Sequence, residues 1–262
     1  MSRRAAVLGS PIAHSRSPQL HLAAYRALGL TDWTYERIEC TADDLPALVG
    51  GFGPEWVGLS VTMPGKFAAL RFADERTARA ELVGSANTLV RTGSGWQADN
   101  TDVDGVAGAL GRSTTVDAAA VLGAGGTAPA AVVALAELGA QKVSIVARNR
   151  AKAAPLVDLG ERLGVDAHWV ELGSTISGLD VVVSTLPADV AGRYAETVVT
   201  APVLLDAIYD PWPTPLATAF AAAGGRVVGG LQMLLNQAFA QVERFTGRPA
   251  PKEAMITALG RT

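Results

Sequence analysis

Lys66 and Asp102 are the residues in this sequence best suited to moving a proton. Lys66 follows an apolar run ending at Val61 and the turn Thr62-Met63-Pro64-Gly65. That places it at the carboxyl end of a predicted strand, where α/β proteins build their sites. Asp102 opens a predicted helix beside Asn100 and Thr101. When hydride leaves a secondary alcohol the hydroxyl proton must leave too, and a lysine or an aspartate in one cleft can take it. On spacing alone the plainer reading of the pair, a surface lysine and a helix cap, is favoured. Ser15 and Ser17 flank Arg16 in a predicted loop. Their hydroxyls suit a substrate carboxylate, but the default reading is loop polarity and, at Ser17 before Pro18, a helix cap. Gln237 is a polar residue on an otherwise apolar-faced helix, either solvated or aimed into a cleft. His14, His21, His168 and the single Cys40 show no metal-ligand spacing. No metal site is expected, and the histidines read as structural or surface side chains.

A second stretch carries a different chemistry. In Val121-Leu122-Gly123-Ala124-Gly125-Gly126-Thr127-Ala128, three glycines join an apolar strand, Ala118–Leu122, to a helix over 127–138 that Gly139 stops. Strand, glycine turn and helix form the dinucleotide-binding fingerprint, here G-x-G-x-x-A. Gly123 allows the tight turn, Gly125 lets backbone approach a pyrophosphate, and Ala128 keeps the helix close to the strand. The helix start offers unpaired N–H groups and partial positive charge to phosphates. The next strand runs into Arg148-Asn149-Arg150, with Lys152 beyond, and no acid occurs between Glu137 and Asp158. An acid at this strand end would bind the ribose 2′-hydroxyl of NAD, whereas arginine pairs with a 2′-phosphate. The expected cofactor is NADP, clamped mainly by Arg148. Arg150 and Lys152 are either further contacts or a solvated basic helix start.

Composition frames these sites. The 262 residues carry 22 Lys and Arg against 25 Asp and Glu, and 49% are hydrophobic. That is enough apolar material for one large domain or two small ones. Mild acidity argues against a nucleic-acid binder. A lone cysteine fits a reducing compartment. The apolar stretch after Arg4 is too short for a signal peptide or a membrane span, so a cytoplasmic protein is expected. In the first part, strands are expected at Ala5–Leu8, Trp33–Glu39 and Glu55–Val61. A hairpin follows at Ala86–Arg91 and Trp96–Asn100, and helices lie at 17–28, 66–72 and 77–82. Residues 112–117 resemble a linker. Thereafter strands at Ala118–Leu122, Val143–Arg148, His168–Val170, Asp180–Thr185, Val203–Asp206 and Arg226–Val228 alternate with helices, which implies a parallel sheet with right-handed crossovers. A long helix over 231–246 and a short one over 252–259 close the chain. The fold class is α/β, with two lobes.

Seven stretches, in order, resemble the shikimate dehydrogenase family over essentially the whole chain. They are Gly9-Ser10-Pro11-Ile12-Ala13-His14-Ser15-Arg16-Ser17-Pro18, Ser60 to Lys66, Ala86-Asn87-Thr88-Leu89, Asn100 to Gly105, the glycine loop, Tyr209 to Leu216 and Gly230 to Ala238. The resemblance implies reversible reduction of 3-dehydroshikimate to shikimate with NADPH, on the route to chorismate and the aromatic amino acids. It implies a substrate-binding lobe of 1–101 plus about 231–262, and a Rossmann NADP-binding lobe of 102–230. By the same resemblance Ser15 and Ser17 hold the substrate carboxylate. Thr62, Asn87, Asp102 and Gln237 bind ring hydroxyls, and Tyr209 borders the site. Lys66 transfers the proton, and Asp102 orients it. Gly123, Gly125, Gly126, Thr127, Ala128, Arg148, Asn149, Arg150, Thr185, Gly230 and Met233 fall on the cofactor side. Small molecules are the implied partners, with no nucleic acid or membrane, in a monomer or homodimer.

Some positions depart from the family pattern. Ser60 stands where asparagine is usual, Gly65 where a large residue often precedes the lysine, and Pro129 where arginine is common. Ala147 and Asn149 replace the outer residues of an Asn-Arg-Thr phosphate motif, and Ser184-Thr185-Leu186-Pro187 replaces an Asn-Ala-Thr run. All of these but Ser60 and Gly65 fall on the cofactor side, and they leave Arg148 carrying more of the NADP preference. The alternatives are a quinate/shikimate dehydrogenase using NAD and a non-catalytic shikimate sensor. Retention of Lys66 and Asp102 argues against the sensor.

Overall fold

A computed structural model describes residues 2–260. The chain forms two compact units. One takes the chain up to Thr101 and again from Gln237, and the other is Asp102–Asn236.

The first unit contains β1 (Arg3–Gly9), α1 (Ser17–Ala27), β2 (Trp33–Glu39), α2 (Leu45–Gly50), β3 (Trp56–Val61), α3 (Lys66–Phe72), β4 (Glu75–Arg76), α4 (Ala78–Val83), β5 (Thr88–Arg91) and β6 (Trp96–Asp99). The strands form one sheet in the order β2-β1-β3-β5-β6-β4. β1 runs parallel to β2 and β3, and β5 runs antiparallel to β3 and β6. Ala5 to Leu8 is buried on both faces, which is why β1 reads as a continuous apolar run. Leu8, Leu45, Leu59 and Leu89 pack on one face, and Val7, Tyr25, Tyr35 and Phe245 on the other. After β1 the chain goes out to β2 and then returns to the far side of β1 as β3. The strand order therefore reverses between β1 and β3, and the carboxyl ends of strands at such a reversal are where α/β sheets bind ligands.

The second unit holds α5 (Asp102–Leu110), β7 (Ala118–Leu122), α6 (Ala128–Glu137), β8 (Lys142–Ala147), α7 (Arg150–Arg162), β9 (Asp166–Glu171), β10 (Val181–Ser184), α8 (Ala188–Gly192), β11 (Val203–Asp206), α9 (Pro215–Ala222), β12 (Arg226–Val228) and the start of α10 (Gly230–Thr246). Its sheet is parallel throughout, in the order β12-β11-β10-β7-β8-β9. Read from β9, this is the 3-2-1-4-5-6 order of dinucleotide-binding sheets, reversing between β7 and β10. The last part of α10 belongs to the first unit. α11 (Lys252–Leu259) packs on α1 there, and the Gln19 side-chain amide donates to the Ala258 carbonyl.

Where element boundaries differ from expectation, a local bond gives the reason. Ser17 does not cap α1: Arg16 takes the N-cap position, Ser17 opens the helix, and Pro18 sits in its first turn. β5 begins at Thr88 rather than Ala86, because Ala86 N–H donates to the Lys66 carbonyl (3.0 Å) and the Asn87 carbonyl accepts from Val61 (2.7 Å). Residues 112–117 form a loop inside the second unit, not a connection between units.

Asp99, at the end of β6, fastens distant segments of the first unit. Its carboxylate is 1% exposed and meets Arg79 Nη2 at 2.6 Å and Arg244 Nη2 at 2.5 Å. Thr77 Oγ1 also donates to it, at 2.7 Å. Burial pushes this carboxyl up, but hydrogen bonds from Arg79 and Thr77 and the two guanidinium charges outweigh it and hold Asp99 below the usual carboxylate range. The stabilisation is present above the ordinary carboxylate pKa and is lost as pH falls through the lowered value. Arg79→Ala is expected to cost about 1–3 kcal/mol in urea denaturation at neutral pH. The deficit should shrink as acid protonates Asp99; a deficit independent of pH would refute the ion-pair account.

Candidate active site

Most of the residues singled out for substrate chemistry lie at the β1/β3 crevice of the first unit. The loop after β1 rests directly on the turn after β3, and Gly9 permits it. A Cβ at Gly9 would collide with Thr62 Cγ2 and stand 3.0 Å from the Met63 carbonyl. Thr62 N–H donates to the Leu8 carbonyl (2.9 Å), and Ser10 N–H to the Met63 carbonyl (3.0 Å). Ser15 and Ser17 are 6% and 5% exposed. Their loop is held by Arg37, which donates from Nε (2.9 Å) and Nη2 (2.6 Å) to the Ser15 carbonyl. Ser17 N–H donates to Ser15 Oγ at 3.3 Å, so the Ser15 hydroxyl proton is directed elsewhere. Lys66, half-buried, is the first residue of α3. Its carbonyl accepts from Ala86, so the backbone ties Lys66 to the segment that carries Asn87.

Asn87 and Gln237 meet directly: Asn87 Nδ2 donates to Gln237 Oε1 at 2.7 Å. Asn87 Oδ1 accepts from Thr101 N–H at 2.7 Å and Thr88 Oγ1 at 2.8 Å. Beneath this pair lies a buried polar layer that residue patterns did not mark. It consists of Gln241, one turn beyond Gln237 on α10, with Thr88, Ser60 and Tyr35. The i, i+4 spacing of the two glutamines is the signal that could have found Gln241, since such residues share a helix face. His21 completes the layer. It stacks on Tyr35 with ring centroids 4.1 Å apart, and its Nε2 lies 3.3 Å from Gln241 Oε1.

Asp102 is 3% exposed and opens α5, one residue past Thr101. Asp102 and half-buried Tyr209 belong to the second unit, whereas Ser15, Ser17, Thr62, Lys66, Asn87 and Gln237 belong to the first.

In the second unit a cleft of about 510 Å³ opens at the carboxyl ends of β7 and β8. Gly123, Ala124, Gly125, Arg148, Asn149 and Lys152 line it, with Ala147, Leu172 and Leu186. Gly123 has φ +107°, and a Cβ there would stand 2.6 Å from Thr185 Oγ1, so glycine is required twice over. Thr185 donates to the Leu122 carbonyl from N–H (2.8 Å) and Oγ1 (2.9 Å), and thereby backs the turn. Where a Cβ of Gly125 would project, nothing lies within 4 Å. Thr127 takes the N-cap position of α6, with Gly126 just before it. Asn149 caps α7, its Oδ1 accepting from Ala151 (2.9 Å) and Lys152 (3.3 Å). Arg150 lays its guanidinium over the Trp169 ring at 5.7 Å and is not among the lining residues, whereas Lys152 is. Gly230 and Met233 stand at the start of α10, also outside the lining. The features fit a dinucleotide bearing a 2′-phosphate: an open glycine backbone, a helix N-terminus, two cations and no carboxylate among the lining residues. Among the described residues, no group of three or more His, Cys, Asp or Glu could hold a metal ion. No described helix is long and apolar enough to cross a membrane.

Known proteins resemble this chain closely. A family model described as the shikimate dehydrogenase substrate binding domain matches residues 7–89, and one described as the shikimate 5′-dehydrogenase C-terminal domain matches 230–259. A shikimate dehydrogenase (NADP(+)) of Microcystis aeruginosa is 34% identical over 97% of this chain and 94% of its own. The crystal structure of a Mycobacterium tuberculosis shikimate dehydrogenase is 70% identical, with a TM-score of 0.95, covering 99% of this chain and 100% of that one. A Corynebacterium glutamicum quinate dehydrogenase, solved with NAD, is 26% identical, with a TM-score of 0.82 over 98% of each chain.

The buried histidine beneath the site gives a measurable signature. Burial lowers the His21 pKa from 6.5 to about 3, with the Gln241 hydrogen bond opposing only in part. Between those values the unfolded chain binds the proton and the folded chain does not. Stability is therefore full above about 6.5 and falls as pH drops toward 3, at a limiting slope of about 1.4 kcal/mol per pH unit. His21→Phe keeps a ring against Tyr35 and removes the titration. Urea midpoints compared from about pH 6.5 to 5 should show a shallower slope for the variant; equal slopes would place the proton uptake on another group.

Proposed function

The chain belongs to the shikimate dehydrogenase family, and on that premise we propose how its residues carry the reversible NADPH-dependent reduction of 3-dehydroshikimate to shikimate. The observation that carries the reading is the β1/β3 crevice, where two buried serine hydroxyls, a lysine and an Asn87–Gln237 amide pair come from one unit. A polyhydroxylated ring acid needs such groups: hydroxyl donors for its carboxylate, oriented amides for its hydroxyls, and a proton carrier for the reacting oxygen. In this assignment Ser15 and Ser17 receive the carboxylate, with Arg37 holding their loop in place. Thr62, Asn87 and Gln237 bind ring hydroxyls, and Tyr209 borders the ring. Lys66 Nζ takes the C3 hydroxyl proton during oxidation and returns it to the carbonyl oxygen during reduction. Asp102, at the start of α5, takes the orienting role that the family resemblance gives it. The bound nicotinamide supplies the hydride for reduction and accepts it in oxidation.

The glycine turn and the start of α6 hold the pyrophosphate, and Arg148 and Lys152 pair with the 2′-phosphate. The absence of a carboxylate among the cleft's lining residues favours NADP over NAD. Purified protein should reduce NADP⁺ with shikimate, and reduce NAD⁺ or use quinate poorly. Fast quinate oxidation with NAD⁺ would move the chain to the catabolic reading.

Two substitutions test the roles. Lys66→Ala should lower turnover by about 10²–10⁴-fold while shikimate binding stays within a few-fold; turnover close to wild type would remove Lys66 from the proton path. Arg148→Ala should raise KM for NADP⁺ by about ten-fold or more with little change for NAD⁺, as expected for loss of a charge-assisted phosphate contact. Equal changes with both cofactors would assign Arg148 a structural role.

A further inference from the structure

We propose that Gln241, which the functional reading leaves unassigned, is a positioning residue. It braces Asn87, whose amide is oriented by Thr101 N–H, through the Asn87 carbonyl and through Thr88, and so keeps the carboxamide pair placed for Gln237 to offer its Nε2 amide rather than its oxygen to the substrate ring. The proposal rests on the substrate assignment of the preceding section.

The direction of the hydrogen bonds follows from two backbone groups whose roles are unambiguous. Thr101 N–H can only donate, so the Asn87 atom 2.7 Å from it is the oxygen. Asn87 Nδ2 is therefore the donor at 2.7 Å to Gln237, whose near atom is Oε1 and whose Nε2 is turned to the other side. The Asn87 carbonyl can only accept, so the Gln241 atom 3.2 Å from it is Nε2. That same Nε2 donates to Thr88 Oγ1 at 2.9 Å, and Thr88 passes its own proton to Asn87 Oδ1 at 2.8 Å. Gln241 thus holds Asn87 twice, by its carbonyl and through Thr88.

The other end of Gln241 leads to the serine loop. With Nε2 engaged on acceptors, Oε1 accepts the Ser60 hydroxyl at 2.8 Å. Ser60 Oγ in turn accepts from Tyr35 at 2.6 Å. Tyr35 has then given its proton away, so its hydrogen bond with Ser17 has Ser17 as donor. His21 Nε2 faces Oε1 as a donor as well, which leaves the unpartnered Nδ1 as its lone-pair nitrogen. Gln241 is 1% exposed, and it reaches Asn87 through the Asn87 carbonyl and through Thr88. Its position is explained by what it orients.

The test is shikimate binding by calorimetry without cofactor, together with steady-state KM and kcat, for wild type, Gln241→Met and Thr88→Val. Gln241→Met keeps length and removes every hydrogen bond; Thr88→Val removes one relay arm. Gln241→Met should raise both Kd and KM for shikimate about ten-fold, with a smaller rise for Thr88→Val and KM for NADP⁺ within about two-fold of wild type. A residue that merely stabilised the unit would lower the folded fraction, and so kcat, without moving Kd. Unchanged Kd in folded Gln241→Met overturns the positioning role; should that variant not fold, unchanged Kd in Thr88→Val overturns it. A wild-type chain that neither bound nor oxidised shikimate would overturn the functional reading and this proposal with it, an outcome distinct from intact wild-type binding with unaffected variants.

Discussion

A buried carboxamide is nearly symmetric in shape, and only its hydrogen bonds decide which way it faces. Around Asn87 that decision is made by backbone. Thr101 N–H and the Asn87 carbonyl are fixed in kind, and each bond outward from them inherits a direction. Leaving any member unpaired would cost about 1–3 kcal/mol, so the layer is most stable with all its bonds formed. Its members come from α1, β2, β3, β5, the segment before α5, and α10. The network therefore constrains the tertiary structure as well as the site: α10 has to return to the first sheet in one register for Gln241 to reach Thr88. Asp99 enforces that register three residues further along the helix, through Arg244.

The two sheets use the same device at the carboxyl end of their first strand. In each, strand order reverses beside the first strand, at β1/β3 and at β7/β10. In each, a glycine follows or ends that strand, and a threonine follows the strand across the reversal. Thr62 N–H donates to the Leu8 carbonyl and Thr185 N–H to the Leu122 carbonyl. The threonine side chains then occupy the space where a Cβ of Gly9 or Gly123 would be. The glycines are thus needed for close approach between neighbouring loops, and this approach brings the serine loop of the first unit against the Thr62 turn that leads to Lys66.

Much of this was legible in the residues. Continuous apolar runs marked β1 and β7, because parallel strands covered on both faces need no polar alternation. The glycine loop and the run of basic residues after β8 pointed to the cleft at the ends of β7 and β8, the proposed cofactor site. What was not legible depended on contacts between distant segments. Arg37 looks like one polar residue in an alternating strand, and nothing local shows that its guanidinium closes on Ser15. Arg150 and Lys152 are equivalent by composition; Trp169, on β9, draws one of them aside. Ser17 before proline looks like a cap, but the turn begins one residue earlier at Arg16. His21 read correctly as structural or surface, yet only the packed rings of Tyr35 and Phe245 show how completely it is enclosed.

On the proposed assignment the two ligand sites discriminate by different physics. The cofactor cleft presents exposed cations, which attract a phosphate strongly and are screened by salt, so they favour charge over shape. The substrate crevice presents neutral donors whose orientation is already fixed by the layer beneath. A ligand lacking an oxygen where Gln237 presents Nε2 would leave a desolvated amide unpaired, and such losses discriminate more sharply than a missing methylene. Fixing the amides in advance also lowers the ordering cost of binding, because the substrate does not have to turn them. Discrimination among ring acids would then reside less in the residues that touch the ligand than in the buried ones that prevent those residues from turning.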